Sequence, residues 1–331
     1  MDAFDAIERN NLSFHLTPIT IRDLFYLDKC PCDIYGHYNG RFKIMLEDGM
    51  KLLPVSLKKL IDDDQVHLFI YENALKSLIK KQQDNLVHSS RSMSIGNLKE
   101  NAIKLLNLLT LNMNYLYQFP YNDEYLKLQY QSIKVLGNFL INNLEMHKTL
   151  YQDYIKQKHY YIFSQPMLSS LFLVGVLKAS KIYSEREIEN LFVTSYFKDI
   201  GMSSIPSEKF QIDLLDDDDK FLLSSHAEQS VKILQGRLSL TSNYFKIIEH
   251  HHAYSAMGRG LIDNSIEDSE FIIGFETMIV SIMDIIAAMI SERPYRTETK
   301  LFDALELIKF IIADQHPREF KIIVYYFKKF F

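Results

Sequence analysis

The stretch from Phe271 to Ile290 constrains this chain most, because twenty mostly apolar residues there also carry Glu276 and Asp284. It is long enough to cross a bilayer, but an acidic residue near the middle of a span costs about 2.5–3.5 kcal/mol. A buried core helix is the better reading, and no membrane association is expected. Burial makes its own demand. Within Val280-Ser281-Ile282-Met283-Asp284-Ile285-Ile286-Ala287-Ala288 the helix is apolar nearly all round. A carboxylate in that setting must be paired, protonated or bound to a metal, since an unpaired buried charge costs several kcal/mol.

The remainder reads as an ordinary globular chain, 47% hydrophobic and 24% charged. A formal charge of −5 gives no electrostatic reason to expect nucleic-acid binding. Met1-Asp2-Ala3-Phe4-Asp5 lacks the basic and apolar regions of a signal peptide. The only cysteines, Cys30 and Cys32, are too close to bridge readily and too few for a zinc site, which fits a reducing compartment. The expected location is cytoplasmic.

The length of 331 residues suggests two domains. The expected class is α+β, with a small α/β accessory domain over 1–80, a helical connector over 81–158 and an all-α domain over 159–331. In the first part, Ile34–Tyr38 and Arg41–Leu46 flank Asn39-Gly40, a pair that supplies the positive φ angles of a tight hairpin turn. A short helix over Leu57–Ile61 and a strand over Val66–Tyr71 are expected next. From Glu72 to Lys158 apolar residues recur at helical spacing, with Ser89–Asn97 as the most loop-like stretch. Those helices would form a core or a homodimer contact. Further on, Ser184-Glu185-Arg186-Glu187 has a capping-box pattern, and Gly201 can end the helix it starts. Helices are expected over Lys220–Leu234, Tyr244–His252, Glu276–Met289 and Lys300–Ala313.

Candidate chemistry lies in this helical half. Asp199 ends one helix, His226 begins in the next, and His250-His251-His252 closes a third, with Asp284 in the apolar helix. Taken singly, each has a structural explanation: an ion pair for Asp284, a core or surface position for His226, a solvent-exposed helix end for the three histidines. Together they offer the imidazole and carboxylate donors that a first-row transition metal takes.

Their order resembles the HD-GYP phosphodiesterases. Phe197-Lys198-Asp199-Ile200-Gly201-Met202-Ser203-Ser204-Ile205-Pro206 is similar to that family's His-Asp-Ile-Gly-Lys…Ile-Pro segment. His226 stands at its next metal histidine, and His250-His251 at its His-His pair. The run from Met283 to Arg296, ending Arg293-Pro294-Tyr295-Arg296, matches the helix that carries the last metal Asp. The resemblance spans roughly Gln165 to Phe331. It implies metal ligands at Asp199, His226, His250, His251 and Asp284. It also implies a metal-activated water attacking a phosphodiester of cyclic di-GMP, in a bacterial signalling protein. Arg293 and Arg296 are candidate phosphate contacts, because guanidinium forks pair with phosphate oxygens; alternatively, they cap the Asp284 helix.

The chain also departs from the pattern. Lys198 replaces the His of the His-Asp pair, Met202 replaces the catalytic Lys, and Pro166 stands where the first metal His belongs, with neither Gln165 nor His159 an equal substitute. The segment His252–Leu261 lacks the motif that names the family. These losses lead us to expect one transition metal (Fe, Mn or Zn) or none, and a non-catalytic protein that binds cyclic di-GMP or a signalling protein. The alternative is a phosphodiesterase with a reduced metal site. The Lys198 ammonium either fills the lost metal's position, between Asp199 and Asp284, or points to solvent.

Overall fold

The computed structural model describes residues 15–38, 40–62, 68–212, 216–254 and 274–331. The chain divides into two units, Met1–Arg91 and Ser92–Phe331.

In the first unit, strands β1 (Leu16–Ile19), β2 (Ile34–Tyr38), β3 (Arg41–Leu46) and β4 (Leu68–Tyr71) form a sheet in the order β1-β4-β2-β3. Every pairing is antiparallel. The β2–β3 hairpin forms where expected. Its turn residue Gly40 has φ +78°, while Asn39 lies outside the described residues. Leu68, Phe69 and Ile70 are all buried, because a central strand covered on both faces needs a continuous apolar run rather than an alternating one. The strand expected over Val66–Tyr71 is described from Leu68 onward; Val66 and His67 lie outside the described residues. Helices α1 (Pro54–Asp62) and α2 (Glu72–Arg91) complete the unit. Leu24, Ile34, Leu60 and Leu78 close its core. Cys30 and Cys32 are free thiols, the Cys30 Sγ donating to the Cys32 carbonyl at 3.0 Å.

Among the described residues the second unit is helical throughout. It contains α3 (Leu98–Gln118), α4 (Asp123–Asn142), α5 (His147–Ile155), α6 (Tyr161–Ser180) and α7 (Glu185–Phe197). After these come α8 (Asp217–Ser224), α9 (His226–Leu234), α10 (Ser242–Glu249), α11 (Phe275–Ile290), α12 (Leu301–Ile312) and α13 (Pro317–Phe327). The division at Arg91 falls inside the stretch expected as a connector. Its first helix belongs to the N-terminal unit, and α3, α4 and α5 pack in the same unit as the site.

Helix α6 is the axis of this unit and packs against α3, α4, α7, α11 and α13. It is long and apolar enough to cross a membrane, yet 78% of its apolar window is buried inside the protein. That all-round burial is what a central helix requires. The ends are set locally: Asn97, Asn122 and Asp216 cap α3, α4 and α8, and Ser184 with Glu187 forms the expected capping box on α7.

Two expectations need correction. The helix expected over Lys220–Leu234 is two helices. The Ser224 and Ser225 hydroxyls donate back to the Phe221 and Leu222 carbonyls, and such bonds compete with the helix ladder. His226 therefore starts a new helix. The expected helices also end at Ala313 and omit α13, whose run Ile322-Ile323-Val324-Tyr325-Tyr326 looks strand-like. Pro317 at its first turn is the available signal.

Helix α13 supplies a buried contact with a pH consequence. His147 has no exposed surface; its Nε2 faces the Leu140 carbonyl at 3.0 Å and its Nδ1 the Tyr326 hydroxyl at 2.9 Å. A carbonyl only accepts, so Nε2 carries the hydrogen and Nδ1 accepts from Tyr326 in a neutral ring. Burial lowers its pKa to about 4. The unfolded ring, with an ordinary pKa of about 6.5, binds its proton first as pH falls. Stability tied to His147 is thus complete above about pH 6.5 and lost progressively toward pH 4, by about 3 kcal/mol in all. Urea melts at pH 7 and pH 4.5 should show the loss, and His147→Phe should flatten the dependence; an unchanged slope in that variant would refute the assignment.

Candidate metal centre

The site is assembled from four places in the second unit. Asp199 follows α7 and accepts, through its backbone carbonyl, the Tyr117 hydroxyl of α3 at 2.8 Å. His226 opens α9. His251 and His252 lie in the turn that follows α10, and Asp284 sits in the middle of α11. Gly201 holds the α7 end against α9. A Cβ there would lie 2.0 Å from the His226 carbonyl oxygen and 2.5 Å from the Ser230 nitrogen, both backbone atoms that cannot yield. Its role is this close approach, not the helix stop expected from the sequence. Gly201→Ala should destabilise by about 1–3 kcal/mol and displace His226, so a thermal melt and a metal count on that variant should both fall.

Asp199, His226, His251 and His252 each offer one donor atom, and all four atoms lie within 4.8 Å of one another. His251 Nε2 is 3.0 Å from Asp199 Oδ1, and His226 Nε2 is 3.4 Å from the same oxygen. His226 Nε2 lies 3.3 Å from His251 Nε2 and 3.0 Å from His252 Nε2. For bonds of about 2.0–2.1 Å, the edge of a tetrahedral site is about 3.3 Å, so these spacings suit one ion.

Hydrogen bonding points the same way. His251 Nδ1 faces the Ile248 carbonyl at 2.6 Å, and His226 Nδ1 faces the Leu223 carbonyl. Both Nδ1 atoms must donate, which leaves lone pairs on both Nε2 atoms of the neutral rings. His251 Nε2 then meets a carboxylate oxygen at 3.0 Å, acceptor against acceptor. A cation resolves that conflict, either a metal or an extra proton. Burial, followed by the neighbouring His251 and His226, holds the His252 pKa well below the ordinary histidine value, which keeps this third ring a neutral donor atom.

Lys198 lies beside this group, against Asp199 and Asp284. Its side chain has no exposed surface, and its ammonium contacts Asp199 Oδ2 and lies 2.6 Å from Asp284 Oδ1. Burial alone would lower the Lys198 pKa, but Asp199 and Asp284 outweigh it and hold the ammonium above the ordinary lysine value. Burial, the largest single effect, would raise Asp199, but Lys198 together with His226 and His251 outweighs it and keeps that carboxyl well below its usual range. Asp284 Oδ1 also accepts from Gln165 at 3.0 Å, and Gln165 Oε1 accepts from Arg293 at 3.0 Å. Pro166 follows within α6 and contributes no donor.

Several side chains stand elsewhere than the sequence suggested. His250 lies outside the four-residue group, half-exposed at the end of α10 with Nε2 3.9 Å from Glu249, and His252 belongs to the group instead. Asp284 faces Lys198 rather than the imidazoles. Arg296 is exposed and donates to the Ala288 carbonyl, so it caps α11, whereas Arg293 reaches the cavity beside the imidazoles. His159 is bonded to Asn107 at 2.7 Å. Gln165, weighed from the sequence only as an unequal substitute for a metal histidine, and Tyr161, which sequence reasoning misses, also belong to the site; a neutral amide and a tyrosine within an apolar helix carry little signal of their own. Residues 255–261 of the shortened motif lie outside the described residues.

A cavity of about 130 Å³ opens beside the group, lined by Met202, Lys209, Phe210, His226, His252 and Arg293 among others. Lys209 is paired with Asp219 at 2.5 Å, and Arg293 stacks over the Tyr161 ring at 4.9 Å.

No family model matches the chain, and no curated protein does. Among solved structures it is similar to Bd1817, an HDG"Y"P protein from Bdellovibrio bacteriovorus, with a TM-score of 0.64 and 15% identity. The match covers 95% of this chain and 99% of that one. At this identity the likeness establishes the fold: a helical HD-type body with a small strand region, as in an HD-GYP protein.

Proposed function

We propose that this chain is an HD-GYP-like signalling protein in which a lysine stands in for one metal of the family's centre. On this reading it acts by binding cyclic di-GMP or a protein partner rather than by turnover. The observation that carries the reading is the Lys198 ammonium, buried between Asp199 and Asp284. Two carboxylates that would share a metal instead share an organic cation. Asp199, His226, His251 and His252 would hold at most one ion, of a kind that accepts nitrogen and oxygen donors. When bound, that ion supplies Lewis acidity. The residues around it do the rest: Arg293 offers a guanidinium to a phosphate, and Met202 offers no proton to a leaving group. Bridged-metal hydrolysis has no second ion to use.

Hydrolysis of cyclic di-GMP, followed by chromatography of the products, should be undetectable, whereas calorimetry should register binding. Typical enzymes turn over at about 1–10³ per second. A rate in that range, abolished by Asp199→Ala, would overturn the proposal. It would establish the second reading, a one-metal phosphodiesterase, which the clustered imidazoles favour. Lys198→His tests the substitution itself, since an added imidazole should raise metal uptake in the holo protein.

A further inference from the structure

The second unit holds a larger cavity, of about 660 Å³, which shares only Tyr161 and Arg293 with the space beside the imidazoles. No residue of the metal group lines it. We propose that this cavity is a binding site for a mononucleotide, its base lying against the tyrosines and its phosphate drawn to Arg293 and Lys300. Neither the metal nor the Lys198 substitution is needed for it; Arg293 borders both spaces, and Tyr160 and Lys300, which line this cavity alone, tell the two readings apart.

Three observations converge. The volume lies within the roughly 300–1,000 Å³ of small-molecule sites, where the space beside the imidazoles does not. One wall is aromatic: Tyr151, Tyr160 and Tyr161 line it, and the Tyr160 and Tyr161 rings meet edge to face at 5.0 Å. Tyr161 is buried under the Arg293 guanidinium and Tyr151 packs against Phe172 and Phe330, so Tyr160, the exposed ring of the three, is the one that offers a face to a nucleobase. Finally, the Arg293 guanidinium makes no ion pair among the described residues. Its partners are the Tyr295 hydroxyl at 2.9 Å and the Gln165 amide oxygen, and its Nε is buried with no partner. A half-buried cation satisfied only by neutral groups attracts an anion. Two acidic residues line the cavity: Glu292 is paired with Lys158 at 3.6 Å, and Glu298 acts on Tyr151, with neither bonded to Arg293. The unpaired guanidinium argues against a neutral aromatic ligand, and the tyrosine wall argues against a bare oxyanion.

Arg293 also ties this cavity to the centre, because it bonds Gln165, which bonds Asp284, which holds Lys198. A phosphate that drew Arg293 away would loosen that chain at its outer end.

The test is calorimetry on the full chain with guanosine and adenosine 5′-monophosphates as probes, beside guanosine and inorganic phosphate. Tyrosine emission gives a second readout in a chain without tryptophan. Saturable nucleotide binding is expected, weakened at least tenfold by Tyr160→Ala and by Lys300→Glu, and retained by His251→Ala. Tyr160 and Lys300 are at the surface, so these variants should fold. The absence of saturable binding would overturn the proposal. So would phosphate binding as tightly as nucleotide, which would mark a simple anion site. Loss in His251→Ala with none in Tyr160→Ala would place the ligand beside the imidazoles and equally overturn it.

Discussion

Lys198→Ala should lower the free energy of unfolding by about 3–5 kcal/mol at neutral pH, the typical cost of removing one partner from a buried set of charges. Asp199 and Asp284 would then face one another with Gln165 as the main remaining donor to Asp284. Lys198→Met separates charge from packing, because it fills much of the same volume without the ammonium. A similar deficit in both variants assigns the effect to charge. The pH dependence carries its own sign. In the wild type Lys198 depresses the Asp199 pKa against the opposing effect of burial. That depression is stability present above the unfolded carboxyl's pKa of about 3.9, lost as acid titrates the folded group. Without Lys198 the effect of burial loses its largest counterweight and the Asp199 pKa moves upward, so the variant's deficit should be greatest near pH 7 and narrow below about pH 5. Urea melts at both pH values decide the matter. An unchanged midpoint would mean that Lys198 is not an internal counter-ion.

Much of this arrangement was legible because buried charge is so costly that few outcomes are open to it. A carboxylate in the apolar run of α11 had to find a cation or lose its own charge, and Lys198 beside Asp199 offered one. What the sequence could not resolve was register within three consecutive histidines. Successive residues on a helix or tight turn differ by about 100° in direction. The residue at which α10 ends therefore decides which rings face inward, and it ends at Glu249, which turns His251 and His252 toward Asp199. Nor did periodicity show where α3 packs. Apolar spacing identified it as a helix, but the Tyr117 hydroxyl that fixes the Asp199 backbone comes from a residue 82 positions away. The strand-like composition of α13 hid a helix for a related reason: β-branched and aromatic residues favour strands only until packing against α6 offers them a better burial.

The chain as purified without chelator should carry one transition metal by elemental analysis, and His251→Ala should carry none. The expectation rests on the two Nδ1–carbonyl bonds, which turn the His226 and His251 lone pairs onto a carboxylate oxygen, an arrangement that only a cation reconciles. Binding to the folded chain alone adds stability by mass action, about 4 kcal/mol at a thousandfold excess over the dissociation constant. Chelation should therefore lower the melting temperature of the wild type and leave that of His251→Ala unmoved. The neighbouring residues fix the register: His252→Ala should weaken uptake, while His250→Ala, altering a ring outside the group, should not. Lys198 limits the count from the other side, because a second ion would have to displace a buried ammonium held by two carboxylates. Two tightly held metals per chain would refute both the lysine substitution and the proposal built on it. No metal at all, with His251→Ala clearly less stable than the wild type, would mean that a proton rather than an ion bridges His251 and Asp199.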